Sequence, residues 1–308
     1  MINKTFLPKP LKGIITPMVT PLLDNNTLDI VGLERLINHV ISGGVHGLFI
    51  LGTTGESTSL PYALRDELVR RTCAMVDRKI PVLVGITDTA PSESLRLAEI
   101  AANEGADAVV AAPPYYFSMG QPELIEYYEY LADSINLPLY LYNMPSHTKI
   151  VIEPNTVHSL SKHRNIIGLK DSSANNVYLN SVINMMKDRP DFSLLVGPEE
   201  LMAETVLLGG HGGVNGGANM FPSLYVQLYE AAFTGDLEKV KLLHSKVMTI
   251  SSKLYKVGNF GSSYLKGLKA ALSVLGICSD FIASPLSSFK IEEKEKIKKA
   301  IDDIQQIL

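Results

Sequence analysis

The chain has 308 residues, 46% hydrophobic and 19% charged, which excludes a disordered polymer and allows a large core without disulfide or metal staples. Its formal net charge is −4, and the densest basic stretch, 292–299, mixes lysine with glutamate like a solvated helix face. A nucleic-acid partner is therefore not expected.

The opening stretch, 1–12, carries Lys4, Lys9 and Lys12 but no apolar run of signal-peptide type, so a cytoplasmic location is expected. From there on short apolar runs alternate with helical patterns. The runs at 13–20, 46–52, 81–86, 106–112, 138–144, 166–171, 192–197 and 212–217 are rich in Val, Ile and Leu with weak alternation, as parallel strands covered on both faces require. Between them, 62–78 sets Glu67, Arg70 and Arg71 on one side and Leu64, Leu68 and Met75 toward another. The segment 92–103 starts at Pro91-Ser92 and spaces Leu95, Ala98 and Ala102 helically. Gly43, Gly44 and Gly105 stand where helices should stop.

Eight strand–helix units predict an α/β fold of the TIM (β/α)8 type. An open doubly wound sheet would place Gly-x-Gly-x-x-Gly after the first strand, where Ile15-Thr16-Pro17-Met18 stands instead. Residues 206–229 lack charged side chains, but their glycines, His211, Asn215 and Asn219 suit a loop-rich site better than a membrane span. Beyond the barrel, 237–254, 262–275 and 291–307 read as helices, punctuated by Gly276 and Pro285. The expected division is a barrel over 1–234 and a helical appendage over 235–308, packed on the barrel. Cys73 and Cys278 form no C-x-x-C pair and read as small hydrophobes in a reducing compartment.

In such a barrel the active site lies at the C-terminal ends of the strands. Lys79 precedes the third strand and so falls on the opposite face, and Lys149 lies beyond the fifth in a loop. Lys170 ends an apolar run and is followed by Asp171-Ser172-Ser173. A low-dielectric floor there disfavours the ammonium form and favours a neutral, nucleophilic amine; a structural lysine paired with Asp171 is the other reading. The second strand ends in Gly52-Thr53-Thr54-Gly55-Glu56, where two hydroxyls between glycines can converge on a carboxylate, or form a plain tight turn. On the fifth strand Tyr140 and Tyr142 share a side, with Tyr142 nearer the active end, placed to move protons or to pack.

The fourth strand runs into Pro113-Pro114-Tyr115-Tyr116-Phe117, an exposed aromatic loop or a packing surface. The glycines from Gly209 to Gly217 allow close approach of a ligand, a phosphate included. The seven histidines form no H-E-x-x-H cluster, and His39 and His244 fall in helical segments, so no metal is expected.

Together, Gly52-Thr53-Thr54-Gly55-Glu56, Tyr142-Asn143-Met144-Pro145 and Gly168-Leu169-Lys170-Asp171, in that order, resemble the dihydrodipicolinate synthase/N-acetylneuraminate lyase family over nearly the whole chain. The closing Pro285-Leu286 and Glu292-Glu293-Lys294 are similar to that family's C-terminal helices. The resemblance implies a class I lyase or aldolase, a homotetramer without cofactor, that condenses or cleaves a 2-oxo acid such as pyruvate and an aldehyde. It implies Lys170 as the imine-forming nucleophile and Tyr142 as the proton-transfer phenol. Thr53 and Thr54, framed by Gly52 and Gly55, would hold the substrate carboxylate and orient Tyr142. Tyr116, or its neighbour Tyr115, would reach a neighbouring subunit's site, and Val214, Asn215 and His147 would face the substrate.

One departure matters. The synthases typically carry arginine two residues past the proline, where this chain has His147, which offers neither a fixed bidentate fork nor a persistent charge. A 2-keto-3-deoxy sugar acid is therefore the expected substrate type. Dihydrodipicolinate synthase and N-acetylneuraminate lyase are the alternatives, the latter disfavoured by Gly-Thr-Thr-Gly in place of Gly-Ser-Thr-Gly. A silent 2-oxo acid sensor and a phosphosugar isomerase complete the possibilities.

Overall fold

A computed structural model describes residues 7–308; the first six, with Lys4 of the opening stretch, lie outside the described residues. Among the described residues ten strands occur in chain order: β1 Gly13–Pro17, β2 Leu22–Asp24, β3 Thr27–Leu28, β4 Gly47–Ile50, β5 Val82–Gly85, β6 Ala108–Ala111, β7 Leu139–Asn143, β8 Ile166–Asp171, β9 Ser193–Val196 and β10 Gly212–Gly213. Eight of them close a barrel in the order β1-β10-β9-β8-β7-β6-β5-β4, with every neighbouring pair parallel. The eight apolar runs thus fall on the eight barrel strands.

One local expectation changes, and one element is added to those expected. The run 212–217 pairs over Gly212–Gly213 alone, and Gly216–Asn219 coils into a 3-10 turn. Between β1 and the first helix, β2 and β3 form a small antiparallel hairpin at Asn25-Asn26, outside the barrel. Asn26 N donates to Asp24 Oδ1 there at 2.8 Å.

The helices are α1 Ile30–Ser42, α2 Tyr62–Val76, α3 Pro91–Asn103, α4 Gln121–Ser134, α5 Pro145–Thr148, α6 Pro154–Leu160, α7 Asn176–Met185, α8 Met202–Leu207, α9 Pro222–Thr234, α10 Leu237–Leu254, α11 Ser263–Val274 and α12 Ile291–Gln305. Gly235, at φ 74°, terminates α9 in the left-handed region that glycine enters freely. The helices α10, α11 and α12 bury Leu254, Leu268, Leu272 and Ile297 in the same apolar layer that lies between the barrel and its surrounding helices. No helix among the described residues is long and apolar enough to cross a membrane.

The barrel interior is a second, smaller core of Ile15, Phe49, Leu83, Val110, Tyr140 and Leu195, with Leu7 and Leu11 in the same cluster. Leu11 N donates to Ser193 Oγ at the N-terminal end of β9, which closes that end of the barrel. The register of β7 on β8 contains one irregularity. Leu139 faces Ile166, yet Tyr140 faces Gly168, so β8 carries one extra residue at that point. Gly168 is needed there, because a Cβ would stand 2.3 Å from the Tyr140 ring. Past the bulge, Tyr142 runs beside Lys170 and Asn143 beside Asp171.

Candidate active site

A cavity of about 800 Å³ opens at the C-terminal ends of the barrel strands, and Lys170 and Tyr142 form part of its wall. Because they are register partners on adjacent strands, their side chains project together. Lys170 is 6% exposed. Its Nζ lies 4.0 Å from the centre of the Tyr142 ring and 4.8 Å from that of Phe49. Asp171 is not its ion-pair partner. One position further along a pleated strand it faces the other way, where Asn143 Nδ2 donates to its Oδ1 at 2.7 Å and Ser173 Oγ to its Oδ2 at 2.9 Å. Burial raises the Asp171 pKa, partly offset by those hydrogen bonds.

The Tyr142 hydroxyl sits 3.1 Å from Thr53 Oγ1. Burial alone would raise the phenol's pKa, but the Lys170 charge and hydrogen bonds with Thr53, Lys170 and Ser172 outweigh it, and the phenol lies below its ordinary value. A phenol so placed gives up its proton more readily than tyrosine in water.

Thr53 and Thr54 both line the cavity. Their turn is bracketed by two non-glycine residues in the left-handed region, Leu51 at φ 56° and Glu56 at φ 58°, a conformation of higher energy that the surroundings must hold. Glu56 is held through its side chain. Lys269 Nζ, on α11 and wholly buried, donates to Glu56 Oε1 at 2.5 Å and to Thr20 O at 2.8 Å. Ala283 N donates to Glu56 Oε2 at 2.8 Å. Gly52 and Gly55 shape the turn and do not themselves line the cavity. A Cβ on Gly52 would stand 2.5 Å from the Phe49 ring, and one on Gly55 would stand 3.0 Å from Leu51 N.

Of the other expected residues, Val214 lines the cavity at the end of β10, and His147 lines it from α5. Partial burial and the nearby Lys149 charge hold the His147 imidazole below its usual pKa, so it is neutral at pH 7. Asn215 is wholly buried and turned toward β9, with Nδ2 donating to Gly197 O at 3.0 Å. Tyr116 is 79% exposed, stacked edge-on with Phe117 outside the cavity, and Tyr115 is 40% exposed. The structure therefore gathers Lys170, Tyr142, Thr53, Thr54, His147 and Val214 into one cavity. It leaves Asn215, Tyr115 and Tyr116 out of that cavity.

The glycine-rich stretch after His211 is filled by the protein itself. A Cβ on Gly216 would lie 1.7 Å from the Tyr264 hydroxyl, and one on Gly217 would lie 1.8 Å from the Tyr225 hydroxyl. The Gly217 amide, which a phosphate would need, donates to Glu199 Oε2 at 2.8 Å. His211 belongs to the opposite end of the barrel. Its Nδ1 accepts from Leu194 N, and burial with the Lys12 charge lowers its pKa to about 4.

Five residues that sequence reasoning passed over, Glu199, Tyr225, Tyr255, Tyr264 and Lys269, shape the site. Glu199, in the cavity wall, accepts from Tyr225 OH at 2.5 Å and Tyr255 OH at 2.9 Å. Burial raises its pKa to about 7 even with those donors. Tyr264, on α11, places its hydroxyl 3.3 Å from Thr54 Oγ1, and Lys269 follows on the same helix. Glu199 was findable, since it comes directly after the seventh strand at the active end. Among the described residues, no group of three or more His, Cys, Asp or Glu is placed to hold a metal ion.

Fold and site together define an α/β-barrel enzyme with, among the described residues, a single buried amine in its mouth. The family follows from comparison with known proteins. Residues 10–304 match the model of the dihydrodipicolinate synthetase family. The chain is 32% identical to a 4-hydroxy-tetrahydrodipicolinate synthase of Methanospirillum hungatei, over 94% of this chain and 98% of that one. It is 33% identical to a putative 2-dehydro-3-deoxy-D-gluconate aldolase, YagE of Escherichia coli, over 95% and 97%. A solved structure of dihydrodipicolinate synthase from Bacteroides thetaiotaomicron superposes with a TM-score of 0.94 at 61% identity, covering 96% of this chain and 99% of that one. The chain belongs to the dihydrodipicolinate synthetase family and is a lyase or aldolase of that family.

Proposed function

We propose that the protein joins or cleaves a 2-oxo acid and an uncharged, hydroxylated aldehyde through a Schiff base on Lys170, as an aldolase of 2-keto-3-deoxy sugar acid type. The Lys170 amine, once it has given up a proton, adds to the keto carbon and water leaves, giving an imine without any separate cofactor. The imine accepts the electron pair when the C3–C4 bond breaks, leaving an enamine in place of a free carbanion. Tyr142, as a phenolate that has already released its own proton to water, takes the proton of the substrate's C4 hydroxyl as that group becomes the aldehyde carbonyl. In the condensation direction the same phenol returns it. Thr53 and Thr54 receive the carboxylate of the 2-oxo acid. YagE, one of the similar proteins, has been solved in complex with pyruvate, which supports pyruvate as the 2-oxo acid.

The observation that carries the choice of aldehyde is the cavity's charge. Among the described residues lining it, Lys170 is the only lysine or arginine, and His147 is held neutral. An aldehyde bearing its own carboxylate finds no fixed cation there, whereas Thr58, Ser59, Ser262 and His147 can bond hydroxyls. The second reading, 4-hydroxy-tetrahydrodipicolinate synthase, is favoured by the 61% identity to the Bacteroides protein so titled. We also infer a homotetramer, supported by the exposed Tyr116 and Phe117, which offer an aromatic surface to another copy.

Borohydride reduction in the presence of pyruvate, read by mass spectrometry, tests the chemistry; the expected product is one adduct, on Lys170. Absence of that adduct ends the Schiff-base reading. An aldehyde panel in the condensation direction tests the substrate. Selective turnover of aspartate semialdehyde over glyceraldehyde would replace the sugar-acid reading with the synthase.

A further inference from the structure

We propose that Tyr264, on α11, is a positioning residue for the Thr53–Thr54 turn, so that the appended helices set the carboxylate grip of the barrel. The inference rests on the reading of that turn as the site of the 2-oxo acid carboxylate.

Four observations converge on it. The Tyr264 hydroxyl reaches Thr54 Oγ1 at 3.3 Å, inside the cavity wall. It gets there because Gly216 has no side chain; any Cβ at that position would overlap the hydroxyl. The same helix is tied to the same turn a second time, through the Lys269–Glu56 pair, with Glu56 holding the turn's left-handed end. The Tyr255 ring packs edge-on against Tyr264 at 4.8 Å between centres, which restrains the ring from behind.

The physical role follows from donor counting. A threonine hydroxyl has one proton and two lone pairs. When the phenol donates to Thr54 Oγ1, the Thr54 proton is left for a ligand, and its direction is set before the ligand arrives. Burial raises the Tyr264 pKa, so the phenol stays protonated and able to donate throughout the working range. Without that donor, Thr54 can turn its proton elsewhere, and part of the carboxylate's binding is spent on reorienting it. Such a loss acts on ground state and transition state alike, so it changes KM and leaves kcat nearly fixed.

The test is Tyr264→Phe in the full-length protein, with Tyr178→Phe as matched control. Tyr178 loses an equivalent buried hydroxyl bond, to Ile152 O, away from the cavity. The expected result for Tyr264→Phe is a rise of about five- to tenfold in KM for pyruvate, the size of one neutral hydrogen bond. The pyruvate concentration giving half-maximal borohydride trapping should rise in step, with kcat changed less than about threefold. In a Thr54→Val background the same substitution should add almost nothing, because the two act through one contact. An unchanged KM with a melting temperature lowered as in Tyr178→Phe would overturn the proposal, and so would full additivity with Thr54→Val. A fall in kcat at constant KM would also overturn it, by assigning the phenol to proton transfer. If the wild type itself yields no Lys170 adduct, the Schiff-base reading fails first, and the two failures are told apart.

Discussion

Two glycine-rich segments frame the barrel mouth, and they end up as opposites. In Gly52-Thr53-Thr54-Gly55 the glycines relieve crowding against Phe49 and the chain's own backbone, while the two threonines between them face open cavity. In the stretch that ends in Gly216 and Gly217 the space is taken by the Tyr264 and Tyr225 hydroxyls, and the amide by Glu199. A missing side chain marks a close approach without saying what approaches. One segment is kept open for a small molecule; the other is a socket for the helices that support it.

The sharpest way to break this contrast is to remove the amine that the open turn faces. Lys170→Met should lower turnover by about 10⁴-fold or more and abolish trapping, because the covalent route is lost. Residual turnover within tenfold of wild type would place the chemistry elsewhere. Next in size is the anchor of the same turn. Lys269→Met leaves Glu56 buried without its cation and should cost about 3–5 kcal/mol in urea denaturation. Adding Glu56→Gln should recover most of that; if it does not, the pair is not what holds the turn.

Tyr142→Phe should reduce kcat by about a hundredfold while slowing imine trapping much less. Equal losses in both would remove the phenol from proton transfer and recast it as packing.

The smallest effect probes the filled segment, through pH. Glu199 in the folded protein has its pKa raised from 4.5 to about 7, so between those values the folded state binds a proton that the unfolded state releases. Stability from this group is therefore greatest at the acid end of that window and declines as pH rises through it. Urea midpoints should fall between pH 5 and pH 7.5 more steeply in wild type than in Glu199→Gln. Parallel slopes would mean that Glu199 is ionised throughout and the socket is a charged one.

Much of this was legible in the chain. The eight apolar runs locate the eight barrel strands, because a parallel strand covered on both faces must be apolar over its whole length. The geometric rule for barrels then singled out Lys170 over Lys79 and Lys149. The stretch 212–217 read as a strand because Gly and Val say nothing about how far pairing extends, and pairing stops where Glu199 and the tyrosines claim the backbone. Tyr264 and Lys269 were passed over because their helix looks like ordinary amphipathic packing. What distinguishes them is a partner over 200 residues away in the chain, and no local pattern encodes that. The signal available was a lysine among Leu268, Ala270, Ala271 and Leu272, a position where a charge demands a buried counterpart.

The bulge at the start of β8 makes the reaction depend on counting as well as on chemistry. The pleat alternates with every residue, so the single extra position between Ile166 and Gly168 decides which way everything after it points. Were Ile167 instead to enter the ladder opposite Tyr140, every later residue of β8 would turn over. Leu169 would then stand beside Tyr142 and take the mouth, and Lys170 would face the outer helices beside Asn143. The amine meets its phenol only because one residue of β8 is left out of the pairing, a condition that no choice of reacting groups could replace.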